Sequence, residues 1–255
     1  MPYRFATEST DYSDYTSGRV FYGLPGCPAF PVRLASEIFQ RCAEVLRADN
    51  DSGPYTIYDP CCGGAYHLST LAFLHWREIR EIVGSDIDGD ALGLARRNLS
   101  LLTLDGLDGR IAEIAGMLES YGKSSHRAAL ASARGFRTRL EKLSMSHVVR
   151  TRVFQANALD ADDLFAGLGS QAIDIVLTDI PYGQRSGWVG AGVVSDSDAP
   201  PAVQMLEALW QVLSPTTVVA VASDKGQRIQ HPSYDRIERF RMGKRQIVML
   251  RTMSG

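Results

Sequence analysis

A short β-rich run, 55–58, ends in an acid and a glycine-containing turn, and a segment with helical character follows at 67–76. Strand, small-residue turn and helix form the first unit of a doubly wound α/β fold, in which glycines let the main chain approach a ligand. Gly63 and Gly64 are adjacent, so the spacing of a dinucleotide site, which binds a pyrophosphate, is absent. The missing phosphate motif favours S-adenosylmethionine as the cofactor. Its predicted contacts in this turn are Asp59, Cys61, Gly63 and Gly64.

Polar residues also end the next two β-rich runs. Asp86 lies near the end of the run 81–88, about 20 residues past the glycine turn, where an acid can accept hydrogen bonds from both ribose hydroxyls. Asp88 either contacts the cofactor or caps the following helix. Asn157 ends the run 152–158, and its carboxamide either reads the 6-amino group and N1 of an adenine or makes the turn. We predict Asp86, Asp88 and Asn157 as cofactor contacts.

A fourth run, 172–177, leads into Asp179, Ile180, Pro181 and Tyr182. A turn of this type presents a side-chain acceptor, a main-chain carbonyl and an aromatic face to a flat amino group. Hydrogen bonds from an aromatic amine to Asp179 and to the carbonyl of Ile180 would favour its methylation, while Tyr182 stacks on the base. These four residues are the predicted catalytic set, with Asp179 also beside the cofactor. The alternative is an ordinary turn that Pro and Asp stabilise.

The remaining pattern predicts further helices and strands. Helices are expected at 34–48 and 203–213, and a strand at 217–222. The runs 237–242 and 246–251, joined at Gly243 and Lys244, predict an antiparallel hairpin. Between the second and third strands, the segment 101–147 has apolar residues at helical intervals and is interrupted by glycines, so we expect a helical insertion with a role in substrate binding. A helical hairpin packed on the sheet is the alternative.

In order, the four strand-end motifs resemble those of class I S-adenosylmethionine-dependent methyltransferases of the amino-group branch. That family has an acid and a Gly-rich turn after the first strand, acids after the second and third, and Asn/Asp-Pro-Pro-Tyr after the fourth. Here Ile180 replaces the first proline and Asn157 replaces the third acid. The resemblance implies an α/β fold with a Rossmann-like seven-stranded sheet, mostly parallel with a C-terminal antiparallel hairpin, and an α-helical insertion.

The length and the segments 30–35, 59–64, 84–88 and 178–183 are similar to those of the avilamycin-resistance ribosomal RNA methyltransferases. This resemblance implies an enzyme that methylates a guanine base of 23S ribosomal RNA, alone or in the large ribosomal subunit, and confers resistance to an orthosomycin antibiotic. Two other hypotheses remain open. One is an amino methyltransferase acting on DNA adenine or a protein glutamine, and the other is a non-catalytic RNA-binding module of the same fold.

The composition sets broad limits on the protein. Its 255 residues, 45% hydrophobic and 22% charged, suffice for one α/β domain over 1–255, with an N-terminal extension and helix at 1–49 and the insertion at 101–148. No apolar run approaches the roughly 20 residues needed to span a membrane, so we expect a cytoplasmic protein, without membrane association and monomeric. The cysteines lack C-x-x-C spacing, so no metal is expected. Cys61 and Cys62 lie in the cofactor turn, which argues against covalent catalysis.

The net charge of −2 hides two basic segments. Residues 121–152 contain eight Lys or Arg against one Glu, and 225–251 again contain eight. Such segments form either a solvated face or a one-sided surface for RNA phosphates. The residues predicted to contact RNA are Arg127, Arg134 and Arg137, with Arg185 and Trp188 from the Gly-rich loop 184–192. The alternative for Trp188 is a core anchor of that loop.

Overall fold

The computed structural model describes residues 3–8, 10–23, 29–181, 188 and 199–253. Within them a seven-stranded sheet has the order β3-β2-β1-β4-β5-β7-β6. Strands β1 to β5 are parallel, and β7 pairs antiparallel with both β5 and β6, so the predicted fold class is confirmed. The strands are β1 Tyr55–Asp59, β2 Ile79–Asp86, β3 Arg150–Gln155, β4 Ile175–Asp179, β5 Val218–Asp224, β6 Tyr234–Met242 and β7 Arg245–Thr252.

Helices cover both faces of this sheet. Side chains such as Ile57 and Ile175 share one core with the first five helices, while Tyr58 and Val176 share another with the last two. Residues on both faces of the central strands are therefore apolar, as the uninterrupted apolar runs predict for a covered parallel sheet. The helices are α1 Val32–Ala48, α2 Tyr66–Leu74, α3 Gly89–Ser100, α4 Leu104–Tyr121, α5 Ser124–Ser144, α6 Ala161–Leu168 and α7 Pro201–Val212.

The short helix α6 has no counterpart among the predicted elements. Asp160 caps it by accepting hydrogen bonds from the N–H groups of Asp162 and Asp163. An acidic cap followed by acids in the first turn is a start signal that the sequence does contain. With only eight residues, however, α6 is too short to show a helical period clearly.

The predicted insertion consists of α4 and α5, which pack against each other. Gly122 separates them with φ +62°, and its N–H bonds the carbonyl of Leu118, a left-handed helix end that favours glycine. The expectation that Gly106, Gly109 and Gly135 also interrupt the helices was wrong, because all three lie inside them. A substrate role for this pair stays a prediction.

Two glycines of α4 are expected to respond oppositely to substitution by alanine. A Cβ at Gly106 would lie 1.9 Å from the carbonyl oxygen of Ser100, whereas a Cβ at Gly109 meets nothing within 4 Å. Gly106→Ala should lower the free energy of unfolding by about 1–3 kcal/mol through overpacking. Gly109→Ala should raise it by about 0.5–1 kcal/mol through helix propensity. Urea unfolding of both variants checks this pair, and equal effects would contradict the packing at Ser100.

Candidate active site

The predicted strand-end residues lie at one edge of the sheet. Asp59, Asp86 and Asp179 are the last residues of β1, β2 and β4, and Asn157 follows β3 by two positions. These strands are parallel and adjacent in the sheet, so their carboxyl ends face the same side. The chain moves outward from β1 to β2 and β3, then returns to pair β4 with the other side of β1. Ligands of doubly wound folds bind at such a reversal.

Asp86 holds the glycine turn against the end of β2. One carboxylate oxygen, Oδ2, accepts a hydrogen bond from the N–H of Gly63 at 2.8 Å, and Oδ1 accepts one from the N–H of Asp88 at 3.0 Å. Gly63 has φ +51°, a conformation that favours glycine. Burial raises the pKa of Asp86. A carboxylate has about four lone-pair positions, so Asp86 keeps acceptor capacity for a ribose.

Asp88 and Asn157 both make the local hydrogen bonds that were the alternative to cofactor contact, a helix cap and a turn. Asp88 Oδ1 accepts hydrogen bonds from the N–H groups of Asp90 and Ala91 and caps α3. The side-chain oxygen of Asn157 accepts one from the N–H of Leu159 at 3.0 Å, which forms a local turn. Cofactor contacts by Asp88 and Asn157 stay predictions.

The remaining predicted contacts of the first turn are Asp59, Cys61 and Gly64. Asp59 Oδ1 accepts a hydrogen bond from the N–H of Cys61 at 2.9 Å, and the carbonyl of Gly64 accepts one from the side chain of Asn98 at 2.8 Å. Burial, followed by the charge of Asp59, raises the pKa of Cys61 well above that of an ordinary thiol. Its thiolate, the nucleophilic form, is therefore disfavoured near neutral pH.

The predicted catalytic turn continues the pairing of β4 with β5. The N–H of Ile180 donates to the carbonyl of Ala222, and the carbonyl of Pro181 accepts a hydrogen bond from the Gln227 side chain at 3.3 Å. Tyr182 lies outside the described residues. Asp179 Oδ1 is buried and has no hydrogen-bond partner in the described part of the chain. Burial raises the pKa of Asp179, so its carboxylate is a stronger base than an exposed one.

Three residues absent from the predicted site lie beside it. His67 Nε2 lies 3.1 Å from Asp59 Oδ2, but these two atoms do not meet the angle required of a hydrogen bond. Arg245 lies 3.5 Å from Asp179 Oδ2. Phe30, 5% exposed, packs against both basic side chains, with its ring centroid 5.6 Å from the His67 ring and 5.1 Å from the Arg245 guanidinium.

Acidic and basic groups therefore alternate across the site. Burial opposes protonation of His67, but the neighbouring Asp59 and the charge of Asp179 outweigh it and raise the pKa of His67. Of these residues, only His67 carried a local signal, because it directly follows the glycine turn at the start of α2. Phe30 and Arg245 come from distant parts of the chain, so their positions depend on the tertiary fold.

Comparison with known proteins shows the family to which this chain belongs. Residues 1–245 match the model of the rRNA methyltransferase AviRa family. The chain belongs to the AviRa family of ribosomal RNA methyltransferases. The 23S rRNA (guanine(2535)-N(1))-methyltransferase of Streptomyces viridochromogenes is 40% identical over 251 residues, which cover 98% of this chain and 95% of that protein. Two structures of the rRNA methyltransferase aviRa from S. viridochromogenes, at 2.4 Å and 1.5 Å, each match with TM-score 0.85 and 38% identity, covering 98% of this chain and 96% of theirs.

In this AviRa-family chain the predicted RNA-contacting residues differ in their surroundings. Arg127 and Arg134 are exposed on α5. Arg137 forms ion pairs with Asp108 at 2.6 Å and with Glu141 at 3.7 Å. Arg185 lies outside the described residues. Trp188 is partly buried against the core that includes α6 and α7, as the core-anchor alternative requires. RNA contacts by these residues stay predictions.

Several basic residues of the AviRa-family chain have structural roles. Arg139 donates to the hydroxyl of Tyr15 and the carbonyl of Phe73, both at 2.6 Å, and Arg152 donates to the carbonyl of Gly167. With Arg137 and with Arg150, which lies 3.0 Å from Glu81, four of the eight cations of the first basic segment are bonded within the fold. Among the described helices none is long and apolar enough to cross a membrane. Across the same residues, no three His, Cys, Asp or Glu side chains are grouped to hold a metal ion.

Proposed function

We propose that this chain uses S-adenosylmethionine to methylate ring nitrogen N1 of a guanine in 23S ribosomal RNA. The carrying observation is the buried, unpartnered Oδ1 of Asp179 beside Arg245, at the strand reversal of an AviRa-family enzyme. The 40% identical relative is named for methylation at guanine N1. This target refines the expectation of an exocyclic amine, because N1 is a ring nitrogen that carries one proton.

Methylation at N1 makes two demands on the protein. The N1–H proton must leave, which develops negative charge towards the neighbouring carbonyl oxygen, O6, until N1 has formed its bond to the methyl carbon and the carbon–sulfur bond of the donor has broken. Asp179, with its pKa raised by burial, is suited to accept the proton. Arg245 is suited to stabilise the charge at O6, since it already lies 3.5 Å from the Asp179 carboxylate.

The residues of the glycine turn fit S-adenosylmethionine. This cofactor, when bound, supplies an electrophilic methyl group on a sulfonium ion. Asp86 would accept hydrogen bonds from its ribose, because the carboxylate is held at the end of β2 by Gly63 and Asp88. Gly63, with positive φ, leaves the main chain accessible at this turn. Asn157 would contact the adenine.

The partner of this reaction is 23S ribosomal RNA, either alone or in the large ribosomal subunit. We further propose a monomeric enzyme that works in the cytoplasm, where its substrate is made. Resistance to an orthosomycin antibiotic fits the family, because a methyl group on one base changes the surface to which a drug binds.

Transfer of labelled methyl groups tests this function. We expect purified protein and methyl-labelled S-adenosylmethionine to label 23S ribosomal RNA, and to leave DNA and total protein unlabelled. Naked RNA and large subunits should be supplied in parallel, since either can be the substrate. Label in DNA or protein alone would overturn the proposed substrate, and failure to bind S-adenosylmethionine would favour a non-catalytic RNA-binding module.

A further inference from the structure

A basic cavity lies beside the catalytic turn. None of the residues that line it has been assigned above to cofactor binding or catalysis. Its volume is about 280 Å³, and four cationic side chains line it, namely Lys225, Arg228, Arg236 and Arg239. No carboxylate is among its lining residues, and none of the four cations forms an ion pair with a described carboxylate. Four cations held together without counter-charge make a site for a ligand with negative charge.

A β-bulge in β6 brings two of these cations together. Arg236 pairs with Leu250 of β7, but Arg239 pairs with Val248, because the register shifts between Arg236 and Glu238. Leu250 and Val248 are two residues apart and face the same side, so Arg236 and Arg239 do as well. In a regular strand, residues three apart would face opposite sides.

The same bulge removes a negative charge from the cavity. Glu238 would share a face with Arg236 in a regular strand, but after the shift it pairs with Met249 instead. Its carboxylate forms an ion pair with Arg41 of α1, on the opposite face of the sheet. The irregularity therefore concentrates positive charge on one face.

Two glutamines fix the cavity and connect it to the catalytic turn. Gln246, 1% exposed, accepts a hydrogen bond from Arg239 at 2.6 Å and donates to the carbonyl of Asp224 at 3.0 Å, which joins β6 to the end of β5. Gln227, which also lines the cavity, donates to the carbonyl of Pro181, two residues after Asp179. The cavity is therefore built against the segment that presents the catalytic acid.

We propose that this cavity binds a phosphate of the RNA backbone close to the target guanine. The proposal rests on the proposed function, since it names a contact of the same substrate. Phosphate contacts set the register of a nucleic acid on its protein without reading its sequence. A phosphate held against the catalytic turn would position the target base over Asp179. Arginine and lysine are the side chains that make such contacts.

Neutralising two exposed cations of the cavity tests the proposal. The variant Lys225→Gln/Arg236→Gln keeps Arg239, which is bonded to Gln246. We expect its Kd for 23S ribosomal RNA fragments at 0.1 M salt to rise roughly tenfold or more. The slope of log K against log salt should fall by about 0.7–0.9, the change expected for one lost phosphate contact. Its affinity for S-adenosylmethionine and its melting temperature should match the wild type.

Two further variants serve as controls. Arg77→Gln removes an exposed cation from the turn Trp76–Glu78 before β2, at the amino ends of the parallel strands, and should leave RNA binding unchanged. Arg236→Lys keeps the charge and should keep the salt slope. If the double variant binds and methylates RNA like Arg77→Gln, while the wild type methylates 23S ribosomal RNA, the cavity proposal is wrong and the proposed function stands. An effect on large subunits but not on naked RNA would also overturn it, because a ribosomal protein would then be the ligand.

Discussion

Replacing Asp179 by Asn is expected to lower kcat for RNA methylation by about 10²- to 10⁴-fold, the contribution of a positioned general base. The asparagine keeps the shape of the side chain but cannot accept the N1 proton. Cofactor affinity should be nearly unchanged, because the Asp179 side chain forms its ion pair with Arg245 and, within the described part of the chain, makes no hydrogen bond to the glycine turn. Single-turnover methylation and calorimetric titration with S-adenosylmethionine measure the two quantities separately.

The wild-type rate should also depend on pH in a stated direction. Burial raises the pKa of Asp179, and only the carboxylate form can accept a proton. The rate should therefore fall as the pH drops through that raised pKa, and the fall should be absent in Asp179→Asn. Asp105→Asn, at an exposed position in the first turn of α4, is the matched control. Equal losses of turnover and cofactor binding in Asp179→Asn would contradict a catalytic role.

Replacing Asp86 by Ala is expected to weaken binding of S-adenosylmethionine by roughly 10- to 100-fold. Part of this loss comes from the missing hydrogen bonds to the ribose, since hydrogen bonds to charged groups contribute about 1.5–3 kcal/mol. The rest comes from a less ordered glycine turn, because the N–H groups of Gly63 and Asp88 both donate to this carboxylate. Calorimetric titration measures the affinity directly.

At saturating cofactor the Asp86 variant should recover much of its kcat, since Asp86 lies at the end of β2 rather than at the catalytic turn. Asp90→Asn provides a neighbouring control, because Asp90 is exposed in the first turn of α3. An unchanged affinity for S-adenosylmethionine with a large loss of kcat would contradict a cofactor-binding role for Asp86 and indicate a catalytic one.

Local patterns predicted most of the fold and one half of the site. The turn after β1 and the acid ending β2 could be placed from sequence, because parallel strands bring consecutive carboxyl ends to one edge. Sequence could not decide between local capping and ligand contact for Asp88 or Asn157. The same oxygen serves either purpose, and the structure shows only that both residues make the local bonds.

The other half of the site depends on pairings between distant segments. Arg245 reaches Asp179 because β7 turns back antiparallel onto β5, which in turn pairs with β4. Phe30 reaches His67 and Arg245 from the segment before α1. Charge counting had a similar limit. It identified a basic C-terminal segment, but the bulge in β6 decides which of its cations share a face.

Mass spectrometry of nucleosides from 23S ribosomal RNA methylated by the wild-type protein tests the central claim most directly. We predict a single methylated nucleotide carrying its methyl group on guanine N1, since we propose that Asp179 accepts the proton that N1 loses. A methyl group on the exocyclic guanine amine, or on an adenine, would contradict this account of the site.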